Sequence, residues 1–336
     1  MGRTGQALAA YLVNKKQNVT VWNRTPEKLR KIASDGIITN GVIHGVFSVE
    51  TFDNIHTAID EADYIILTTV ARAHKQIAEQ LSGRLKPGQT ILIFNGNLGA
   101  YEFYSVLAEE ASEKNIIIAE TGGMILSANF AQDGSCYFKS LKQSISLSAI
   151  PSGASAQLAK ALREIFPQFV PVQNIAETSF NNANPMLHVP LMLFNITRVE
   201  NREDFLFYDE AATRSTLQYV EKIDKERCEV IRALGCRAQS CLEIINSFWP
   251  DKYDTLFHAI KNNKGYMAAK GPLSFDHRYI TEDIPYGIVP ISILGRRYGV
   301  KTPYIDSLLK CFEGLLSTDF ESLAPDMNSL DIKSLL

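Results

Sequence analysis

Over its first 150 residues the chain alternates short apolar runs with stretches of helical periodicity, and no other feature restricts the fold as tightly. Strand-length runs stand at Asn18 to Trp22, Tyr64 to Thr69, Thr90 to Phe94 and Ile116 to Ala119. Helical stretches separate them at Pro26 to Ser34, Ala73 to Leu81 and Ala100 to Glu113. Parallel strands need a crossover of this kind, so the pattern predicts an α/β domain built on a doubly wound parallel sheet. The block GIITNGVIHGVFSVET, with glycines at 36, 41 and 45, reads as a β excursion with turns. SCYFKSLKQSISLSAIP alternates apolar and polar residues and is expected to form antiparallel edge strands that close the domain. Pro151, Ser152 and Gly153 then open a linker assigned to 151–173. Beyond it the pattern turns to long helices, such as TRSTLQYVEKIDKERCEVIRALG, which ends at Gly235 with a C-cap signal. A chain of 336 residues suits two cores, here 1–150 and an all-α domain over 174–330, with the cleft between them as the expected substrate site.

The opening MGRTGQALAAYLV carries G-x-x-G without the strand that normally precedes it. Gly2 and Gly5 fit the second and third glycines of a dinucleotide-binding fingerprint, with Arg3 and Thr4 in the turn and Gln6 to Asn14 as the helix whose first amides hold a pyrophosphate. An ordinary chain terminus fits the same residues. If the fingerprint is real, the first strand is missing, the second and fourth strands flank a gap, and either Met1 is not the natural start or that strand has been lost. After the second strand, VTVWNRTPEKLRK places Asn23, Arg24 and Thr25, with Lys28 a turn later, where an NAD enzyme puts an acid. An arginine fork suits a 2′-phosphate, so NADP is expected, with NAD possible. The same residues are also good capping chemistry, with Thr25 as N-cap and Pro26 at the first helical position. TTVARAHKQIAEQL brings His74 to the sheet's carboxyl edge, facing either a cofactor or solvent. In IFNGNLGAYEF, Asn95 and Gly96 with Gly99 make a turn open to close backbone approach at the nicotinamide end, or a plain strand-to-helix turn.

Composition removes several function classes. With 21% charged residues and a net charge of -3, the chain lacks the basic footprint of a nucleic-acid or anionic-lipid binder. No apolar run approaches the roughly 18 residues of a membrane span, and the chain reads as cytoplasmic. Its five cysteines show neither zinc spacing nor a disulfide framework, so reduced thiols and no metal are expected.

Two segments carry chemistry. In NNANPMLHVPLMLFNITR, Asn184-Pro185 opens an apolar helix with His188 one turn in and Asn195 two turns further along the same face. A histidine there can move a proton, or simply sit satisfied in a core. In GPLSFDHRYITEDIPYGIVPISILG, His277, Arg278, Glu282 and Asp283 crowd into seven residues between prolines. Arg278 offers a fork for a carboxylate, and Asp283 can orient a histidine and support its charged form. A salt bridge from Arg278 to Glu282 is the plainer reading.

Taken in order, GRTGQALAAYL, GIITNGVIHG, NGNLGAYEF, AETGG, NPMLHVPLMLFN, DKERCEVIRALG and RYITEDIPYGIVPISILGRRYGVKTP resemble the opine dehydrogenase family, octopine and nopaline dehydrogenases included, over nearly the whole chain. The resemblance implies a Rossmann domain joined to a helical opine-dehydrogenase domain. It implies NAD(P)H-dependent reductive condensation of an α-keto acid with the amino group of an amino acid. It gives His188 the role of proton mover, Asp283 that of setting its tautomer and charge, and Arg278 that of clamping a carboxylate. Glu120 and Thr121 fall on the family motif near the keto acid, and Asn195 joins the substrate-binding set. Three departures stand out: Asn95-Gly96-Asn97 replaces the usual Asn-Pro-Gly, the usual Pro-Tyr after Glu120-Thr121 is absent, and, the largest, the first strand of the Rossmann sheet is missing. Partners are therefore expected to be small molecules, with a homodimer allowed. The rivals are a ketopantoate-reductase-like or hydroxyacid dehydrogenase enzyme using Lys222 or Lys225, and a truncated paralogue without catalysis.

Overall fold

A computed structural model describes residues 2–131, 134–328 and 330, so Met1, Gln132, Asp133 and Ser329, which the expected domain spans include, lie outside the described residues. The chain forms two units. The first holds helices α1 (Arg3–Asn14), α2 (Glu27–Asp35), α3 (Ile55–Ile59), α4 (His74–Leu81), α5 (Gly99–Lys114) and α6 (Ala154–Ala161). Its strands are β1 (Thr20–Trp22), β2 (Ile37–Gly41), β3 (Gly45–Phe47), β4 (Glu50–Phe52), β5 (Tyr64–Leu67), β6 (Thr90–Ile93), β7 (Ile117–Thr121), β8 (Leu126–Phe130), β9 (Cys136–Leu141), β10 (Ile145–Ile150) and β11 (Phe169–Pro171).

The central sheet runs β11-β10-β7-β6-β5. Strands β5, β6 and β7 are parallel, as the crossover pattern predicts, and β6 is buried along its whole length. Strand β10 is antiparallel to β7 and parallel to β11. Two sequence expectations are corrected here. Residues 151–173 are not a linker: α6 and β11 fold into the first unit, because the short apolar run at Phe169 supplies one more strand. The segment read as antiparallel edge strands divides, β10 entering the central sheet and β9 a separate one of order β3-β2-β9-β8, where it is antiparallel to β8 and parallel to β2.

Among the described residues, strand β1 pairs in parallel with β4 alone, and β5 pairs with β6 alone. The strands expected to border a gap are thus not hydrogen-bonded to each other. Helix α1 is held by side chains instead: Ala9 and Ala10 share a core with Val21, Leu29, Ile32 and Ile37. Tyr11 stacks on Phe166, with centroids 5.8 Å apart, and its hydroxyl donates to the Ile165 carbonyl.

The second unit is helical: α7 (Ile175–Phe180), α8 (Ala183–Phe194), α9 (Ile196–Glu200), α10 (Arg214–Ala233), α11 (Cys241–Phe248), α12 (Leu256–Asn262), α13 (Arg278–Thr281), α14 (Val289–Tyr298) and α15 (Pro303–Leu316). Two short segments, Val70–Arg72 and Gly96–Leu98, also belong to it. Helix α10 starts with a Thr213 capping box and stops where Gly235 takes a positive φ of 78°, the left-handed cap that glycine adopts without strain. No helix among the described residues is long and apolar enough to cross a membrane.

Candidate active site

The second unit brings His188 and Asp283 together across 95 residues of sequence. Asn182 caps α8 by accepting from the Asn184 amide at 3.0 Å, which fixes the helix start and sets His188 on its buried face. Between α13 and α14 the backbone makes a single π turn, Ile284–Ile288, beginning just after Asp283. Such turns displace a side chain from the regular helical path and recur at functional sites. Gly287 lies in that turn, and a Cβ there would stand 2.3 Å from Pro185 Cγ. The missing side chain is therefore what lets α8 and the π turn touch, and their contact lies about one turn from both His188 and Asp283.

At the contact, His188 Nδ1 lies 2.6 Å from Asp283 Oδ2 and Nε2 lies 2.7 Å from the Tyr208 hydroxyl. The ring of Tyr279 stacks on the imidazole, with centroids 3.7 Å apart and planes 22° from parallel. His188 is only 2% exposed. Burial lowers its pKa below the ordinary 6.5, and Arg278 adds to this, while the charge and hydrogen bond of Asp283 oppose them without prevailing. The carboxylate accepts the Nδ1 proton, which leaves Nε2 as the basic atom of a neutral ring. Burial also raises the Tyr208 pKa well above 10, reinforced by Tyr279 and Tyr266, so this phenol keeps its proton.

Arg278 is exposed, and its guanidinium stands 5.9 Å over the Tyr279 ring. It forms no ion pair with Glu282, contrary to the plainer sequence reading, nor with any other carboxylate among the described residues. Desolvation acts to lower its pKa, and Asp283 and Glu282 outweigh that and raise it. A charged fork with no partner of its own suits a carboxylate ligand. Glu282 is committed elsewhere: its Oε1 accepts from the Ala71 amide at 3.3 Å and the Asn97 side chain at 3.4 Å. Asn182 links to this network by donating to Asn97 Oδ1 at 2.8 Å.

Asn195 is not brought to this cluster. It ends α8, about 10 Å along the axis from His188, and its amide donates to the carbonyls of Leu191 and Ala211. Lys222 and Lys225 lie on the exposed face of α10, whose buried face carries Asp224, Glu226 and Arg227 instead. Sequence reasoning missed Tyr208 and Tyr279, which stand among Phe205, Phe207 and Tyr286 and look like ordinary core aromatics.

In the first unit, Glu120 is fully buried and its Oε2 accepts from the Ala100 amide at 3.0 Å, at the start of α5. Thr121 Oγ1 accepts from the Asn95 amide at 3.1 Å and donates to the Gly123 carbonyl. Both residues thus brace the turn from Asn95 to Gly99. There Asn95, Asn97 and Leu98 all have positive φ, flanking Gly96, a run of strained backbone that needs such support. His74 is not solvent-facing as one reading allowed: it is fully buried, with Nδ1 4.0 Å from Glu102 Oε2. Gly99 packs against it, since a Cβ there would meet Nδ1 at 2.6 Å.

The residues assigned to a dinucleotide fit one. Gly2 has extended backbone and no side-chain cap, no acid occupies the first turn of α1, and nothing lies within 4 Å of a Cβ built on Gly2. The amides of Arg3, Thr4 and Gly5 are therefore open to an anion. Arg24 and Lys28 are exposed, with no carboxylate partner among the described residues. Asn23 accepts from the Thr25 amide at 3.0 Å, holding the turn. The cap is shifted from expectation: Pro26 takes the N-cap position, and α2 starts at Glu27 without a side-chain cap.

Comparison with known proteins agrees with this division. Residues 171–316 match the family described as NAD/NADP octopine/nopaline dehydrogenase, alpha-helical domain, and residues 1–149 match Ketopantoate reductase PanE/ApbA. The opine dehydrogenase of Arthrobacter sp. (strain 1C) is 29% identical, over 100% of this chain and 94% of its own. Among solved structures, octopine dehydrogenase with NADH and L-arginine superposes with a TM-score of 0.73 at 18% identity, covering 94% of this chain and 88% of that one. NADP+-bound yersinopine dehydrogenase gives 0.74 at 14% identity, covering 99% and 94%.

Proposed function

From the premise that this chain has the domain pairing and site motifs of the opine dehydrogenase family, we propose that it is an NAD(P)H-dependent oxidoreductase that reductively condenses an α-keto acid with the amino group of an amino acid. The observation that carries the reading is the His188–Asp283 pair, 2.6 Å apart and buried, beside an arginine with no ion-pair partner of its own. Condensation needs a base to free the amine of its proton and an acid to help the carbinolamine lose water. A neutral His188 backed by Asp283 does both, since the carboxylate stabilises the imidazolium between the two events. Arg278 holds the keto acid through its carboxylate. Glu120 and Thr121 keep the Asn95 turn in shape. The dinucleotide, when bound, supplies the hydride that reduces the imine.

That cofactor is held through the amides of Gly2, Arg3, Thr4 and Gly5, with Asn23, Arg24, Thr25 and Lys28 at the ribose and Asn95 and Gly96 at the nicotinamide end. Arg24 and Lys28 favour NADPH, because both are cations free to meet a 2′-phosphate. The test is a screen of NADPH and NADH oxidation across pairs of α-keto acids and amino acids. Oxidation that requires both members of a pair is expected. Oxidation by a keto acid alone, at the same rate with and without amine, would overturn the reading in favour of a hydroxyacid dehydrogenase.

A further inference from the structure

His188 has no ring nitrogen left for a substrate. Nδ1 is taken by Asp283 at 2.6 Å, Nε2 by the Tyr208 hydroxyl at 2.7 Å, and Tyr279 stacks on the ring. A hydroxyl is different, because its oxygen keeps acceptor capacity while its proton is donated. Tyr208 also forms part of the wall of a cavity of about 120 Å³, with Leu206, Ile260, Tyr266 and Met267. We propose that the Tyr208 hydroxyl is the group that exchanges the proton with the substrate, and that His188 and Asp283 serve it as proton reservoir.

The proposal rests on the condensation reading above and adds the atom through which it operates. When the ammonium of the amino acid is deprotonated, its proton passes to the Tyr208 oxygen as the Tyr208 proton passes to His188 Nε2. The products are a free amine, a neutral tyrosine and an imidazolium paired with Asp283. When the carbinolamine dehydrates, the imidazolium returns its proton to the tyrosine oxygen, the tyrosine proton goes to the departing hydroxyl, and water leaves. No proton is gained or lost over the pair of steps. The phenolate never accumulates, as fits a tyrosine held protonated by burial. Tyr266 lies against Tyr208, with ring centroids 4.5 Å apart, and fixes its orientation from the cavity side.

The experiment is steady-state kinetics of Tyr208→Phe, with wild type and His188→Ala measured alongside and folding checked by thermal melting. Phenylalanine preserves the ring and frees Nε2. A relay predicts a fall in kcat of about 100-fold or more with the keto acid KM within about twofold. Activity at or above the wild-type level would overturn the assignment, since His188 would then be reaching the substrate itself. Replacing Tyr208 with 3,5-difluorotyrosine, which keeps the shape and the hydrogen bond, covers the case in which the phenylalanine variant does not fold. Its more acidic phenol is expected to move the pH profile of kcat to lower pH, and an unmoved profile would overturn the relay. A wild-type chain that forms no opine fails the condensation reading, whereas an active wild type with an unaffected Tyr208→Phe fails only the relay.

Discussion

His188 is neutral in the folded protein because burial outweighs the pull of Asp283. A histidine acting as base loses activity when it is protonated, so turnover should fall on the acid side, with an apparent pKa below 6.5. Asp283→Asn removes the charge that raises this pKa. The acid limb should then move to still lower pH, and kcat should drop by roughly 100-fold, while cofactor affinity measured by fluorescence titration is unchanged. A limb moving to higher pH would contradict the pairing. Arg278→Lys keeps the charge but loses the fork, and should raise the keto acid KM by about tenfold with little change in kcat. Arg278 and Asp283 were legible in the sequence because they sit in a short charged motif inside apolar surroundings, and His188 because it stands in an apolar helix, where a polar group calls for a reason. Tyr208 and Tyr279 were not legible. An aromatic residue in an apolar stretch satisfies a core and a site equally well, and only the hydroxyl's 2.7 Å approach to Nε2 separates the two.

At the scale of elements, α8 and the π turn after Asp283 are one device joined at Gly287. A methyl group at 2.3 Å from Pro185 cannot be accommodated without moving one of them. Gly287→Ala should destabilise the protein by about 1–3 kcal/mol and lower kcat through a displaced His188, read as a lower melting temperature and slower turnover. Helices α4 and α5 carry a second testable pair. Burial lowers the His74 pKa from 6.5 to about 4 and raises that of Glu102 from 4.5 to about 7. The depressed histidine contributes stability that is present above pH 6.5 and lost as pH falls towards about 4. The raised carboxyl contributes stability that is present below pH 4.5 and lost as pH rises through about 7. Their slopes cancel between the two windows, so this pair leaves wild-type melting nearly flat from pH 4.5 to 6.5. Glu102→Gln should expose a melting temperature that climbs with pH over that range, and a flat variant would show that the pair is not coupled to folding. The sequence could place these helices to within a residue or two, since their apolar period is strong. It could not show that His74 faces inward, because that depends on Gly99 leaving room.

For the whole molecule, the crossover pattern of the first 150 residues and the shift to long helices were both readable, because periodicity survives without tertiary information. The unit boundary was not: β11 is three residues long, and Pro151-Ser152-Gly153 carries every sign of a linker while leading into α6. On the proposed assignment, the residues that select the cofactor are separate from those that move the proton, so cofactor choice is separable from chemistry. Arg24→Ala should narrow the preference for NADPH over NADH without changing the pH profile of kcat, and a preference unmoved in titration would remove Arg24 from the phosphate site. What the molecule does as a whole is decided by where the hydride ends. The protein is incubated with NADPH deuterated at the transferring position, an α-keto acid and an amino acid, and the product is weighed by mass spectrometry. Condensation gives one species with the mass of both substrates less one water plus one deuterium and one proton, the deuterium on the carbon that was the ketone, and the species vanishes in His188→Ala. Deuterium found instead in a free 2-hydroxy acid, with the amine untouched, would contradict it.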